Sequence, residues 1–462
     1  MSDSRPPVLG ARLARPPFAI RAQLLTPLAA GGIRFESDGL LRVDRAGLIS
    51  HVGPWQASAA DGAGQDGGDE GGAAQGAAAR SVVDLRPLVV MPGLIDLHAH
   101  LPQLPSAGLG AGLDLLTWLE RYVFPLERQF DAPTAERLAP AAYRAMAAAG
   151  TTTAVLYGAV YEPSLDVAFR AAEEHGIRAV IGKVMMDRLR YDARVQDSEV
   201  LELSLRQTAD LIGRWHGRDD GRLQYAVTPR FAVSCSPDML RESADLAAAT
   251  GTYWQTHLSE DRSEIEEVAR LFPDAADYTD VYDRAGGLGS RSIVAHAIHL
   301  ADREIGRLAE TGTRVAHCPS SNLFLASGAM PLARYLEAGL VIGLGSDVAG
   351  GPDLSLFSVM RAGGYTQSGL RTMLGEERPS LGPLDWLRMG TLEGARALGM
   401  EGRIGSLEEA KEADLICVDA RLTAPVAGLE TTEPADLMSR LIHRARPDMV
   451  RGAWVRGRLL PS

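Results

Sequence analysis

The chain has 462 residues, 46% of them apolar, which is enough for a large core, and a formal charge of −12 from 47 cationic and 59 anionic side chains. That acidic balance argues against a nucleic-acid partner or a polybasic membrane contact. Lys183 and Lys411 are the only lysines, so Schiff-base chemistry has almost no candidate, and Cys235, Cys318 and Cys417 stand too far apart for a Cys-x-x-Cys site or a disulfide framework. No apolar run reaches the roughly 18 residues of a membrane-spanning helix, and no apolar stretch follows a basic start as in a secretory leader, so the expected compartment is the cytoplasm.

Short runs punctuated by Gly and Pro open the chain: Phe18–Leu24, Gly39–Asp44 and Leu48–Val52. They read as small antiparallel β structure. Residues 57–80 contain only Ala, Gly, Asp, Gln, Glu, Ser and Arg, a composition that buries nothing and predicts a mobile surface loop. From there the pattern changes. Eight apolar, β-branched runs recur, each followed by a helical stretch: Leu94–His100, Thr152–Tyr157, Arg178–Met185, Leu223–Arg230, Tyr253–Glu260, Ser292–His299, Arg314–Asn322 and Val341–Asp347. Continuous hydrophobic strands alternating with helices predict parallel strands buried on both faces. Among the helices, Asp131–Ala149 repeats Leu138, Ala142, Ala145 and Ala149 at helical spacing, with Gly150 where a C-terminal cap belongs. After them, residues 414–419 and Met449–Leu459 read again as strands. The predicted fold is α/β: a (β/α)8 TIM-type barrel over residues 92–393, with a small β-sandwich domain built from both chain ends, 1–91 and 394–462.

Many of the eight runs end in a polar or ionisable residue: His98 and His100, Arg230, His257, His296, Asn322 and Asp347. In a barrel of this kind the strand C-terminal ends form the active face, so these residues converge. His98-Ala99-His100 projects two imidazoles to one side of a strand, which suits either a packed pair or a divalent metal. His257 with Glu260 reads as a helix face or as a strand-end ligand with a proton-shuttling carboxylate beyond it. His296 and Asp347 are, singly, a structural histidine and a turn or cap aspartate. Together at strand ends, three imidazoles and a carboxylate could hold a cation with a water in an open position. The pKa of that water falls from ~15.7 toward ~7, giving a nucleophile at neutral pH. Arg230 and Phe231 suit a carbonyl or anionic ring edge and a stacked flat ring, or a salt bridge and core packing. Gln103 could read a heterocycle edge or cap a loop. Lys183 is expected in a buried ion pair, His317 and Cys318 behind the site or in packing, and His51, His175, His216, His299 and His443 in structural or surface roles.

Met91-Pro-Gly-Leu-Ile-Asp-Leu-His98-Ala-His100 resembles the opening signature of the amidohydrolase superfamily, and His257, His296 and Asp347 follow in its order. More narrowly, His100-Leu-Pro-Gln103, the segment Leu116–Glu127, Gly182–Asp187, Val227–Phe231, Thr256–Glu260, Cys318–Asn322 and Gly345–Gly350 resemble the guanine deaminases of that superfamily. The resemblance implies one zinc ion per subunit held by His98, His100, His257 and Asp347, and a homodimer. It further implies that His296 orients the bound water, that Asp347 takes its proton, that Glu260 shuttles protons, and that Gln103, Arg230 and Phe231, beside His257 and Glu260, bind the purine. The implied reaction is hydrolysis of guanine to xanthine and ammonia. Rivals are deamination of another amino-heterocycle (a pterin, a triazine or an oxidised purine) and a non-enzymatic binding protein on the same barrel. The zinc deaminases with Pro-Cys-x-x-Cys are excluded by the cysteine spacing. Two departures stand out: the insertion at 57–80 and Ala410 in a position where a glycine is usual.

Overall fold

The computed structural model describes residues 11–56, 82–190, 192, 195–375, 381–428 and 433–462. The segment 57–80, read from its composition as a loop, lies outside the described residues. Strands β1 (Phe18–Pro27), β2 (Ile33–Val43) and β3 (Ile49–Pro54) form an antiparallel meander, and β4 (Val83–Pro92) pairs parallel to β1. The sequence reading has no counterpart for β4. Pro87 interrupts its pattern, and the pairing of β1 with β4 jumps there from Arg21–Asp84 to Gln23–Val89, because proline has no N–H for the ladder.

The next strands are β5 (Leu94–His100), β6 (Thr151–Tyr157), β7 (Arg178–Gly182), β8 (Val184–Met185), β9 (Leu223–Pro229), β10 (Tyr253–Leu258), β11 (Ser292–His296), β12 (Arg314–His317) and β13 (Ile342–Leu344). All pair in parallel, in the order β5-β6-β7-β9-β10-β11-β12-β13, with the short β8 beside β9. The ring is drawn together past β13, where Asp347 N–H donates to the His98 carbonyl (2.7 Å) and His100 N–H to the Val348 carbonyl (2.7 Å). The eight predicted runs are therefore the eight staves of a barrel. Several are shorter than the runs. Asn322, expected at the end of the seventh, lies on a short helix (Pro319–Phe324), and Asp347 sits in the loop three residues beyond β13.

Inside the barrel, Ile95, Leu97, Val155, Val180, Ala226, Ile293 and Ala316 share one buried cluster with Ala395, Ala397, Leu398, Met400 and Ile404. These last five lie beyond the predicted boundary at 393, yet they plug the amino-terminal end of the barrel. Tyr253 Oη donates to the Leu398 carbonyl at 2.6 Å. The fit leaves no room for side chains: a Cβ on Gly343 would stand 3.0 Å from the Cα of Gly394. On the outside, the helix Ala132–Ala148 is capped by Asp131, which accepts from Thr134 N–H, and is followed by Gly150 at φ +94°. Its buried face is Ala135, Ala139, Ala142, Tyr143 and Met146, with Leu138 and Ala145 only half-buried. The expected stripe is thus turned, because that rotation buries the two largest side chains of the face.

At the far end of the chain, β14 (Leu415–Val418), β15 (Val450–Val455) and β16 (Arg458–Leu459) complete a sheet of order β16-β15-β14-β4-β1-β2-β3. Side chains alternate with period two. Ile20, Leu24, Val90, Leu415, Cys417 and Trp454 form one core with Ile49 and Val52 of the edge strand, while Val89, Met91, Ile416, Val418 and Val455 join the main core around the barrel. Since β3 and β15 reach the same core from near opposite edges, the sandwich is one hydrogen-bonded sheet curled on itself. Ala410, in the turn before β14, has φ +69° with its N–H donated to the Ile49 carbonyl (2.8 Å). A left-handed alanine costs about 1–2 kcal/mol, and glycine gives back part of the gain as unfolded-state entropy. Ala410→Gly should therefore stabilise the protein by about 0.5–1 kcal/mol, read as a raised denaturation midpoint. An unchanged or lowered midpoint would contradict this. Among the described residues no helix is long and apolar enough to cross a membrane.

Candidate functional site

The carboxyl ends of the strands bring the predicted residues together. Alternation along β5 turns His98 and His100 to the same side, and Asp96 fixes the strand from below. Its carboxylate accepts from Ser346 N–H (2.9 Å), Ser346 Oγ (2.6 Å) and His98 N–H (3.2 Å), tying β5 to the loop that carries Asp347. Burial pushes Asp96 up to about 6. The backbone at the rim is strained: Ser259 (φ +47°), His296 (+68°), Ala297 (+50°) and Asp347 (+48°) are all left-handed without being glycine. Such residues cluster at functional sites and persist only where the surroundings hold them. Here the hold is the hydrogen bonding of Ala297 N–H to the Leu258 carbonyl (2.8 Å) and of Asp347 N–H to that of His98.

Four donor atoms converge. His100 Nε2 lies 3.3 Å from His98 Nε2 and 3.2 Å from His257 Nε2, and Asp347 Oδ1 lies 3.1 Å from His98 Nε2 and 3.4 Å from His100 Nε2. Ligands 2.0–2.1 Å from a tetrahedral zinc are about 3.3–3.4 Å from one another. The spacing and the chemistry of this donor set therefore fit a small divalent cation. The histidines are prepared for it. His257 Nδ1–H donates to the Arg230 carbonyl (2.6 Å), which leaves the Nε2 lone pair facing the others. Burial lowers His98, holds His257 well below its ordinary range and brings His100 down to about 4, so all three favour the neutral form that can bind a metal. Asp347 behaves differently. Burial opposes its charge, but the His98 and His100 imidazoles hold it well below the usual carboxylate range.

His296 stands beside this set, with Nδ1–H donated to Asn322 Oδ1 (2.9 Å) and Nε2 at 3.3 Å from Glu260 Oε2 and 3.8 Å from Asp347 Oδ2. Glu260 is buried, and its Oε1 accepts from Ser327 Oγ (3.3 Å). Burial first, then the charges of Asp347 and Glu264, push it well above the usual carboxylate range, toward the protonated form. A narrow cavity opens on these groups, lined by His100, Gln103, Leu115, Trp118, Leu119, Arg230, Phe231, His257, Glu260, His296, Leu325 and Asp347. Apolar and aromatic walls with a few convergent polar groups are what a small flat ligand needs.

Several residues of the site escape the sequence reading. Asp96 is one; a fully buried carboxylate in an otherwise apolar strand was the available signal. The Tyr157 ring, at the end of β6, lies 4.6–4.9 Å from the rings of His98, His100 and His257. Glu127, fully buried, accepts from Gln103 Nε2 (2.8 Å) and from Arg230 Nη1 (2.5 Å). The expectation for Lys183 needs correction. Its ammonium reaches Ser204 Oγ (3.0 Å) and no carboxylate among the described residues, and burial lowers it to about 8. His317 is buried behind the site with neither ring nitrogen hydrogen-bonded, while His175 and His299 each bond a backbone carbonyl, of Pro461 and Ser327.

The model of the amidohydrolase family matches residues 89–460. A probable guanine deaminase of Deinococcus radiodurans is 37% identical over 427 residues, 91% of this chain and 92% of that protein. The guanine deaminase of Escherichia coli K12 is 33% identical over 421 residues, 89% and 88% of the two chains. Among solved structures, the guanine deaminase of C. acetobutylicum, with bound guanine in the active site, superposes with a TM-score of 0.86 at 26% identity, covering 96% of this chain and 99% of that one. The chain belongs to the amidohydrolase family and, within it, to the guanine deaminases.

Proposed function

We propose that this protein hydrolyses the C2 amino group of guanine, giving xanthine and ammonia. One observation carries the reading: two carboxyl groups, Glu260 and Asp347, share one cavity with His296 within 4 Å of both, and their surroundings push them in opposite directions, Glu260 well above and Asp347 well below the usual carboxylate range. Pairs of titratable groups driven apart in this way mark acid and base roles. His98, His100, His257 and Asp347 would hold one zinc ion per subunit. When bound, zinc lowers the pKa of a ligated water to about 7.

The rest falls to the chain's own residues. Gln103 and Arg230 orient the ring by its polar edge, with Phe231 and Trp118 forming the apolar walls. Glu260 donates its proton to the ring nitrogen N3, which makes C2 electrophilic. Water adds to C2, and Asp347 takes one of its protons while His296 orients the oxygen. The proton on Asp347 passes to the amino group, the C2–N bond breaks, and ammonia departs. Glu260 recovers a proton from the new C2 hydroxyl as the carbonyl of xanthine forms. We also propose that the division at 91 separates the small domain from the catalytic barrel, that the second division falls after the plug residue Ile404 and not at 393, and that the protein is a cytoplasmic homodimer. Cys235, Cys318 and Cys417, buried and unpaired, suit a reducing compartment.

The deciding measurement is ammonia release by zinc-loaded protein from guanine, a pterin, an aminotriazine and an oxidised purine. Guanine should give the highest kcat/KM. Brisk turnover of a pterin with none of guanine would replace this reading.

A further inference from the structure

Gln103 and Arg230 share a partner that the reaction does not use. Glu127 is completely buried on the helix Phe124–Gln129, and its two oxygens are divided between them: Oε1 accepts from Gln103 Nε2 at 2.8 Å, Oε2 from Arg230 Nη1 at 2.5 Å. A carboxylate only accepts, so this contact fixes which way round the Gln103 amide lies. Gln103 Oε1 is then left buried and without a hydrogen-bond partner, on a side chain that lines the cavity. A buried acceptor of this kind calls for a donor. The guanidinium of Arg230, beside it, offers only donors.

We propose that Glu127 is a positioning residue that sets substrate specificity: by fixing the Gln103 amide it makes the pocket an acceptor next to donors, complementary to a lactam edge, a ring N–H beside a ring carbonyl. This rests on the function proposed above and names its substrate class. Guanine carries such an edge at N1–H and C6=O. An aminopurine without the 6-oxo group has a lone pair at N1 and meets Gln103 Oε1 acceptor to acceptor. Sites built to hydrogen-bond a substrate group reject analogues lacking it by large factors.

The test compares guanine with 2-aminopurine, which keeps the leaving amino group at C2 and lacks only the lactam. The wild type should favour guanine by at least about 100-fold in kcat/KM. In Glu127→Gln, the new amide can still accept from Arg230, but its NH2 then faces Gln103, so the Gln103 amide flips and turns a donor to the cavity. The guanine-to-2-aminopurine ratio should fall by about 10- to 100-fold, with metal content unchanged. Adding Gln103→Glu restores an acceptor on both sides of the pair and should restore the preference for guanine, a rescue that a merely structural role for Glu127 would not give. Equal losses on both purines in Glu127→Gln, with no rescue, overturn the proposal while leaving guanine turnover by the wild type intact. If Glu127→Gln does not fold, Gln103→Leu decides instead: selective loss of guanine supports the proposal, and equal loss on both purines overturns it. A wild type that releases ammonia from neither purine overturns the function reading and this proposal together.

Discussion

Glu260→Gln should lower kcat by about 10²–10⁴-fold, the range that general acid–base catalysis contributes, while zinc content stays at that of the wild type. That factor corresponds to about 3–5.5 kcal/mol of barrier. The substitution keeps size and a hydrogen-bond acceptor for Ser327 Oγ, so packing is preserved. It removes the acidic proton that burial and the Asp347 and Glu264 charges favour on the carboxyl. Guanine in its ground state needs no proton from this group, so KM should change far less than kcat. Steady-state ammonia release with metal analysis of the same sample separates the two effects. Near-wild-type turnover in a fully metallated Glu260→Gln would remove Glu260 from the chemistry.

The second large effect is expected from metal removal. Without a cation, His98, His100, His257 and Asp347 hold electron pairs toward a common centre at spacings of 3.1–3.4 Å. A cation bound there stabilises the folded state by RT ln(1 + [L]/Kd), about 4 kcal/mol at a thousandfold excess over Kd. Dialysis against a chelator should abolish ammonia release and lower the melting temperature, and added Zn²⁺ should restore both. If the chelated protein, verified metal-free by elemental analysis, kept both its melting temperature and its turnover, the four side chains would not be a metal centre. His257→Ala should reproduce the chelated behaviour with weak or no recovery, because it deletes one corner of the set.

The barrel was legible because its signal is local and repeated: each stave is a continuous apolar run bounded by a helix, and all eight runs became strands. The convergence of His98, His100, His257, His296 and Asp347 was legible for a related reason, since a residue at a strand's carboxyl end points to the mouth whatever its place in the chain. What escaped depends on pairing that no periodicity encodes. Glu127 is 24 residues from Gln103 and 103 from Arg230, on a short helix whose charge pattern looks like any solvated face. Asp96 was visible as part of a motif, but its bonds to Ser346 span 250 residues. β4 was hidden by Pro87, and the helix Ala132–Ala148 was read one face off because alanines outnumber the tyrosine and methionine that decide its rotation.

The plug of Ala395, Ala397, Leu398, Met400 and Ile404 fills one end of the barrel, and the cavity above the histidines opens at the other. Substrate and product should therefore share the opening above the histidines. Xanthine retains the carbonyl and N–H proposed to be recognised there, so it should compete with guanine, read as competitive product inhibition of ammonia release.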